Sequence, residues 1–233
     1  SEGTSEVLIR LSDRQGKLIP PSVLLPIAAR FGLAQALDQW VIRRTLSWLA
    51  SRADHPWPAR LYVNIMASSL LDESFTHFLQ TVLPKSLAPR FGIEIAEASV
   101  MLHPEAARRT IGQINAMGCG VSIDRISGRT DAIALLSGLP LSLLKLSPDF
   151  STMTADSDVT YIQAKALVRI AHKLSLPLAV TSVETRDTLA CVRRLGAEFG
   201  QGVAIAPAAP LILPSQQDHT SAGEAPGEEQ RFA

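Results

Sequence analysis

The 233-residue chain has only two cysteines, Cys119 and Cys191. Neither sits in a CxxC pair or beside clustered histidines, which excludes a disulfide-framed scaffold and a zinc site of the usual spacing. Two buried, reduced thiols are the expectation. The five histidines are scattered and form no HExxH, so zinc-peptidase chemistry drops out. Neither sign of charge is in excess: 22 Lys and Arg balance 22 Asp and Glu. Sequence-independent binding to DNA or RNA rests on phosphate neutralisation by Lys and Arg, so the bulk charge gives no support for a nucleic-acid partner. No apolar run is long enough to cross a bilayer, and no signal-peptide pattern opens the chain. A cytoplasmic protein, without direct membrane insertion, or a soluble part of a larger one is expected. The Ser-Glu-Gly-Thr-Ser opening reads as a cut, with native sequence expected upstream.

Hydrophobic residues make up 46% of the chain, enough for one substantial core. Short apolar runs alternate with helical patterns. Strand-like runs fall at Val7 to Leu11, Arg60 to Ile65, Gly92 to Ile95, Gly120 to Asp124, Leu141 to Leu146, Leu178 to Val180 and Phe199 to Val203. Pro20 and Pro21 open a helix, because proline suits a first helical turn. The clearest helix is predicted over Asp158 to Leu174, where Ile162, Ala166, Ile170 and Leu174 recur every four residues. This alternation predicts a parallel sheet covered by helices. Pattern alone does not separate an open doubly wound sheet from a closed barrel, but no GxGxxG follows the first strand, which weakens a dinucleotide-binding Rossmann reading. From Pro214 the composition turns to Gln, Asp, Ser, Gly, Glu and Pro, so a domain over residues 1–213 and a disordered tail over 214–233 are expected.

Polar residues stand out at the strand ends: Glu6, Asn64, Glu94, Asp124, Lys145 and Glu184. In an α/β barrel one rim of strand ends carries the chemistry. Carboxylate and amide oxygens there suit a hard divalent cation such as Mg2+, and a converging set suits phosphodiester chemistry. Singly, each is more simply a solvated or helix-capping group; their order along successive βα units gives the set its weight.

That order resembles the EAL family of cyclic-di-GMP phosphodiesterases. Glu6-Val7-Leu8-Ile9-Arg10 resembles the family's EALxR opening. Leu18-Ile19-Pro20, Phe31-Gly32-Leu33 and Trp40-Val41 resemble the segment after it. Val63-Asn64-Ile65 is similar to its VNxS strand, and Ile93-Glu94-Ile95-Ala96-Glu97 to its ExTE strand. Ser122-Ile123-Asp124 falls at the start of DDFGTG, and Leu139-Pro140 with Lys145 at LP…K(I/L)D. Val183-Glu184-Thr185 falls at the end of AEGVET, and Leu195-Gly196 with Gln201-Gly202 at the closing LG…QG. The resemblance implies an α/β fold, a modified TIM-type (β/α)8 barrel (the EAL barrel), over nearly the whole chain to about Pro210.

Departures from the pattern are as informative. Arg125 stands where the second Asp of DDFGTG is implied to help hold a second metal ion, and a guanidinium repels a divalent cation. Ile126-Ser127-Gly128-Arg129 replaces FGTG. Thr181 stands at the first Glu of AEGVET, the implied general base, and a hydroxyl does not take a proton from water at neutral pH as a carboxylate does. Ser147 replaces the Asp after the family lysine. These changes lead to the expectation of a domain that is not an enzyme: no cofactor is required, and the vestigial set Glu6, Asn64, Glu94 and Asp124 at most holds Mg2+ weakly. Cyclic-di-GMP is the implied ligand. Arg10 suits its phosphate, Asp38 and Glu184 its guanine edges, Asn64, Gln201 and Gly202 the remaining polar contacts, and Leu8 and Pro20 apolar contact. Against this, Arg10 could pair with Glu6, Asp38 could cap the helix holding Trp40, and Glu184 could cap the helix around Asp187. The chain also resembles the FimX-like branch, through the EVL opening, Arg14-Gln15-Gly16 before Ile19-Pro20-Pro21, and Asp38-Gln39-Trp40-Val41. It implies upstream GGDEF and sensory domains, a PilZ-type protein partner and type IV pilus regulation. A weak residual phosphodiesterase and a ligand-free interaction scaffold are the alternatives.

Overall fold

The computed structural model describes residues 3–52, 58–153, 159–211 and 230–231. Strand β1 (Thr4–Val7) leads into a two-residue hairpin, β2 (Leu11–Ser12) and β3 (Leu18–Ile19), turned by Asp13, whose carboxylate accepts from the Gln15 and Lys17 N–H groups. Two helices follow, α1 (Pro21–Arg30) and α2 (Ala34–Ser51). Next come β4 (Arg60–Asn64), α3 (Ala67–Leu71), α4 (Glu73–Val82), β5 (Phe91–Ala96), α5 (Glu97–Leu102), α6 (Pro104–Ala116), β6 (Gly120–Ile126), α7 (Thr130–Leu136) and β7 (Leu143–Leu146). The last part holds α8 (Val159–Lys173), β8 (Leu178–Val180), α9 (Arg186–Leu195), β9 (Phe199–Gly200) and β10 (Gln230–Arg231).

The main sheet runs β1-β4-β5-β6-β7-β8-β9-β10, and every pair is parallel except the last. Parallel strands are covered on both faces and read as continuous apolar runs; β7 is buried at all four positions. The sheet curls, because Glu6 on its first strand bonds Lys145 on β7 and Gln201 just past β9. The architecture is the expected modified TIM-type barrel, with seven parallel strands and an antiparallel eighth. Most of the expected tail, 214–229 and 232–233, lies outside the described residues, and the two described residues there pair with β9.

Helix faces fill the shell between sheet and solvent: Ala107, Ile111 and Ile114 of α6, and Leu167, Val168 and Ala171 of α8, pack into one core with Ile93, Val121 and Ile123 of the sheet. Inside the barrel, Tyr62, Leu143, Ala179 and Phe199 form a separate apolar cluster toward the amino ends of the strands. Gly92 makes room for it, since a Cβ there would meet the Tyr62 ring at 2.5 Å. The predicted strands recur with shifted ends. Of Val7–Leu11 only the end residues lie in strands, Val7 in β1 and Leu11 in β2, and Phe199–Val203 stops at Gly200. There the Ile205 and Ala206 N–H groups turn back to the Gly202 carbonyl. The predicted start of the long helix, Asp158, lies outside the described residues; the helix runs from Val159.

Candidate functional site

Parallel strands place their carboxyl ends on one rim, and the polar residues of the motifs gather there. Register fixes their neighbours: Asn64 pairs across to Glu94, and Ala96 to Asp124. Glu6 is the hub. Its Oε1 accepts from Asn64 Nδ2 at 2.6 Å, and its Oε2 accepts from Lys145 Nζ and Gln201 Nε2, each at 2.9 Å. Lys145, wholly buried, also pairs with Glu94 Oε2 at 2.8 Å and donates to Gln201 Oε1 at 3.3 Å. No donor among the described residues reaches Glu94 Oε1.

Burial dominates the protonation of this cluster. It pushes the Glu94 carboxyl well above its ordinary value despite the Lys145 ammonium, and the charges of Glu6 and Asp124 push the same way. Asp124 is raised by burial too. For Glu6 burial is outweighed by Lys145 and by hydrogen bonds from Gln201, Lys145 and Asn64, so its carboxyl sits below the ordinary range. Three carboxyl groups face one ammonium, and Glu94 carries an orphaned oxygen. In chemistry and charge Glu6, Asn64, Glu94 and Asp124 therefore fit one hard divalent cation. As placed, the carboxylates close on Lys145 instead, and no three such groups among the described residues converge on an ion-sized point.

Above this cluster the mouth has two lobes. The larger, of about 370 Å³, is lined by Leu8, Arg10, Asp38 and Asn64 among others; the smaller, of about 290 Å³, by Thr181, Ser182, Glu184, Gln201 and Gly202. Glu6, Asp124 and Arg125 line both. Arg10 is exposed and donates to the Ile9 carbonyl rather than to Glu6. Pro20 is the N-cap of α1, and its neighbour Pro21 lines the larger lobe. Asp38 does not cap the helix of Trp40. It lies inside α2, and its Oδ2 accepts from the Met66 N–H at 2.8 Å and the Ser69 hydroxyl at 2.7 Å, fixing the start of α3. Burial raises its pKa to about 6. The cap of α9 is Thr185, whose hydroxyl accepts from the Thr188 N–H; Glu184 is left exposed at the rim. Gly202 passes so close to Val183 that a Cβ would stand 2.2 Å from its carbonyl oxygen.

Glu97 was read in the sequence only as part of a motif. Its Oε2 accepts from the Ser127 N–H at 3.1 Å, holding the altered loop after β6. The only sequence signal was an acidic residue three positions after Glu94. Thr181 donates its hydroxyl to the Leu146 carbonyl at 2.9 Å.

The EAL domain profile matches residues 4–208. The chain is 26% identical over 210 residues to the cyclic di-GMP phosphodiesterase PdeF of Escherichia coli, covering 89% of this chain and 28% of PdeF. It is 31% identical over 205 residues to MucR of Pseudomonas aeruginosa, named a bifunctional diguanylate cyclase/cyclic di-GMP phosphodiesterase, covering 84% of this chain and 29% of MucR. The chain thus spans under a third of these two relatives. The FimX EAL domain of P. aeruginosa, solved bound to c-di-GMP, superposes with a TM-score of 0.78 at 25% identity, covering 86% of this chain and 81% of that one. No helix among the described residues is long and apolar enough to cross a membrane.

The phosphodiesterase names of the relatives overturn the expectation that the domain is not an enzyme. That expectation weighed two rim positions too heavily. Arg125 is a solvent-facing side chain that leaves Asp124 in place, Thr181 faces a backbone carbonyl, and the buried Glu6–Glu94–Lys145 base of the site is intact. With the curled parallel sheet, the strand-end carboxylates and the match over residues 4–208, this chain belongs to the EAL domain family.

Proposed function

We propose that this domain binds cyclic-di-GMP across the carboxyl-end mouth of its barrel. The observation that carries the reading is the shape of the mouth: two lobes that join at Glu6, Asp124 and Arg125. A cyclic dinucleotide has matching parts, two bases held apart by a phosphodiester ring. In the larger lobe Arg10 offers a guanidinium to a phosphate, Leu8 apolar contact, and Asp38 a carboxylate to a guanine edge. In the smaller lobe Glu184 and Gln201 face the second base or ribose, and Gly202 brings backbone close. Asn64 orients Glu6 beneath, and Pro20 sets the entry of α1 beside the larger lobe. The c-di-GMP complex of the FimX EAL domain supports the ligand.

Phosphodiester hydrolysis is the chemistry that the relatives' names attach to the family, so slow cleavage to the linear dinucleotide is part of the reading. A divalent cation held by Glu6, Asn64, Glu94 and Asp124 would supply an activated water. Arg125 and Thr181 slow the reaction, one by opposing a second cation and the other by offering no carboxylate base. A domain over residues 1–213, upstream GGDEF and sensory domains, and a PilZ-type partner in type IV pilus regulation are further proposals that rest on the sequence resemblance.

Titration of the chain with cyclic-di-GMP, in EDTA and in Mg2+, with product analysis and with a PilZ-domain protein added in a parallel series, tests these readings. Micromolar or tighter binding in both buffers, with linear product accumulating slowly in Mg2+ alone, is expected. Absence of binding in both buffers rejects the ligand. An affinity unmoved by the PilZ-domain protein, with no complex formed, rejects that partner.

A further inference from the structure

We infer that Arg125 is the phosphate clamp of the mouth, taking a phosphodiester oxygen of the bound dinucleotide at the junction of the two lobes. The inference rests on the binding proposed above and assigns a positive role to a residue that the sequence presents only as an obstacle to metal binding.

Backbone geometry comes first. Successive residues of a strand point to opposite faces, so Asp124 and Arg125 should not share a cavity. They do, and both line both lobes. The register between β6 and β7 shows how: Ile123 pairs with Leu144 and Ile126 with Leu146, so β6 carries one residue more than its partner. Arg125 sits in this bulge with φ +60°, a left-handed conformation that is strained for a residue bearing a Cβ. Bulges of this kind re-aim a side chain.

Charge comes second. An anion entering the mouth meets Glu6 and Asp124 in its lining, and Glu94 is fully buried. The one ammonium there, Lys145, is fully buried and committed to Glu6 and Glu94. Arg125 is the cation placed where the lobes meet. Its side chain is 72% exposed, and among the described residues it makes a loose pairing of Nε with Asp124 Oδ2 at 3.6 Å. The two terminal nitrogens of the fork remain available for the bidentate geometry that phosphate favours. Arg10 lies only in the larger lobe, so the two guanidiniums can take different phosphates of one ligand.

The test is cyclic-di-GMP affinity of the whole chain in EDTA for the unaltered protein, Arg125→Gly and Arg125→Lys. Glycine removes the side chain and accepts the left-handed backbone without strain, so folding is preserved, which circular dichroism verifies. Arg125→Gly is expected to weaken binding at least tenfold and to flatten its salt dependence, with Arg125→Lys recovering part of the affinity. Affinity of Arg125→Gly within twofold of the unaltered chain overturns the clamp and leaves the binding reading standing. Absence of binding by the unaltered chain sinks both.

Discussion

Asp38 shows how one buried carboxylate serves structure and site together. Its Oδ2 holds the Met66 N–H and the Ser69 hydroxyl, which ties α2 to the start of α3 at the wall of the larger lobe. Burial lifts its pKa from 3.8 to about 6. The folded state therefore binds more protons than the unfolded state between those values, and stability through this group falls as pH rises across that window. The shift corresponds to about 3 kcal/mol as an order of magnitude, at 1.36 kcal/mol per unit. Asn keeps an acceptor for both donors and does not ionise. Asp38→Asn is thus expected to lose less stability than the unaltered chain between pH 4 and pH 6 in denaturant melts. Parallel pH profiles would show that the carboxylate is not the source.

At the scale of elements, Val183 and Gly202 decide how the last strands close the mouth. The Val183 N–H donates to the Gln201 carbonyl and the Ala204 N–H to the Val183 carbonyl, so the segments after β8 and β9 are stitched together beside Glu184 and Gln201. A methyl group at position 202 has no room against that backbone. Gly202→Ala is expected to destabilise the fold by about 2 kcal/mol or more, as strained overpacking does, and to weaken ligand binding through the displaced smaller lobe. A melt and an affinity both unchanged would mean that this contact does not shape the lobe.

The same elements show what was legible in the sequence. Apolar runs placed the later parallel strands because a buried strand must read as Val, Ile and Leu, but the run Val7 to Leu11 meets β1 (Thr4–Val7) at one residue; the strand-end polar residues marked one rim. Strand ends were less legible: the bulge in β6 and the turn after Gly200 arise from contacts with β7 and Val183 that no local pattern encodes. For the same reason the alternative of Asp38 as a cap for its own helix was open in the sequence, whereas its partners lie 28 and 31 residues away. Arg125 and Thr181 are visible as departures, but the groups that they face are not. Sequence gives the charge of a side chain and not whether it faces solvent, a carbonyl or the reacting centre.

For the molecule as a whole, the barrel has two distinct ends. The carboxyl end carries the two-lobed, carboxylate-floored mouth. The amino end has a cavity of about 330 Å³ lined by Thr4, Arg60, Tyr62, Ser142 and Phe199, with no carboxylate in its lining. The plug of Tyr62, Leu143, Ala179 and Phe199 belongs to that amino end. Among the described residues only the first end joins buried acids, exposed guanidiniums and strand termini in one place, and the binding proposed above uses that end.

The most direct check of that assignment is a map of backbone amide shifts in 15N-labelled chain on addition of cyclic-di-GMP. Saturable shifts are expected at Leu8 to Arg10, Asn64 to Met66, Asp124 to Ile126, Ser182 to Glu184 and Gln201 to Val203, while Ala59, Arg60 and Ser142 stay fixed. Shifts centred on the amino-end cavity, or none at any concentration, would contradict it.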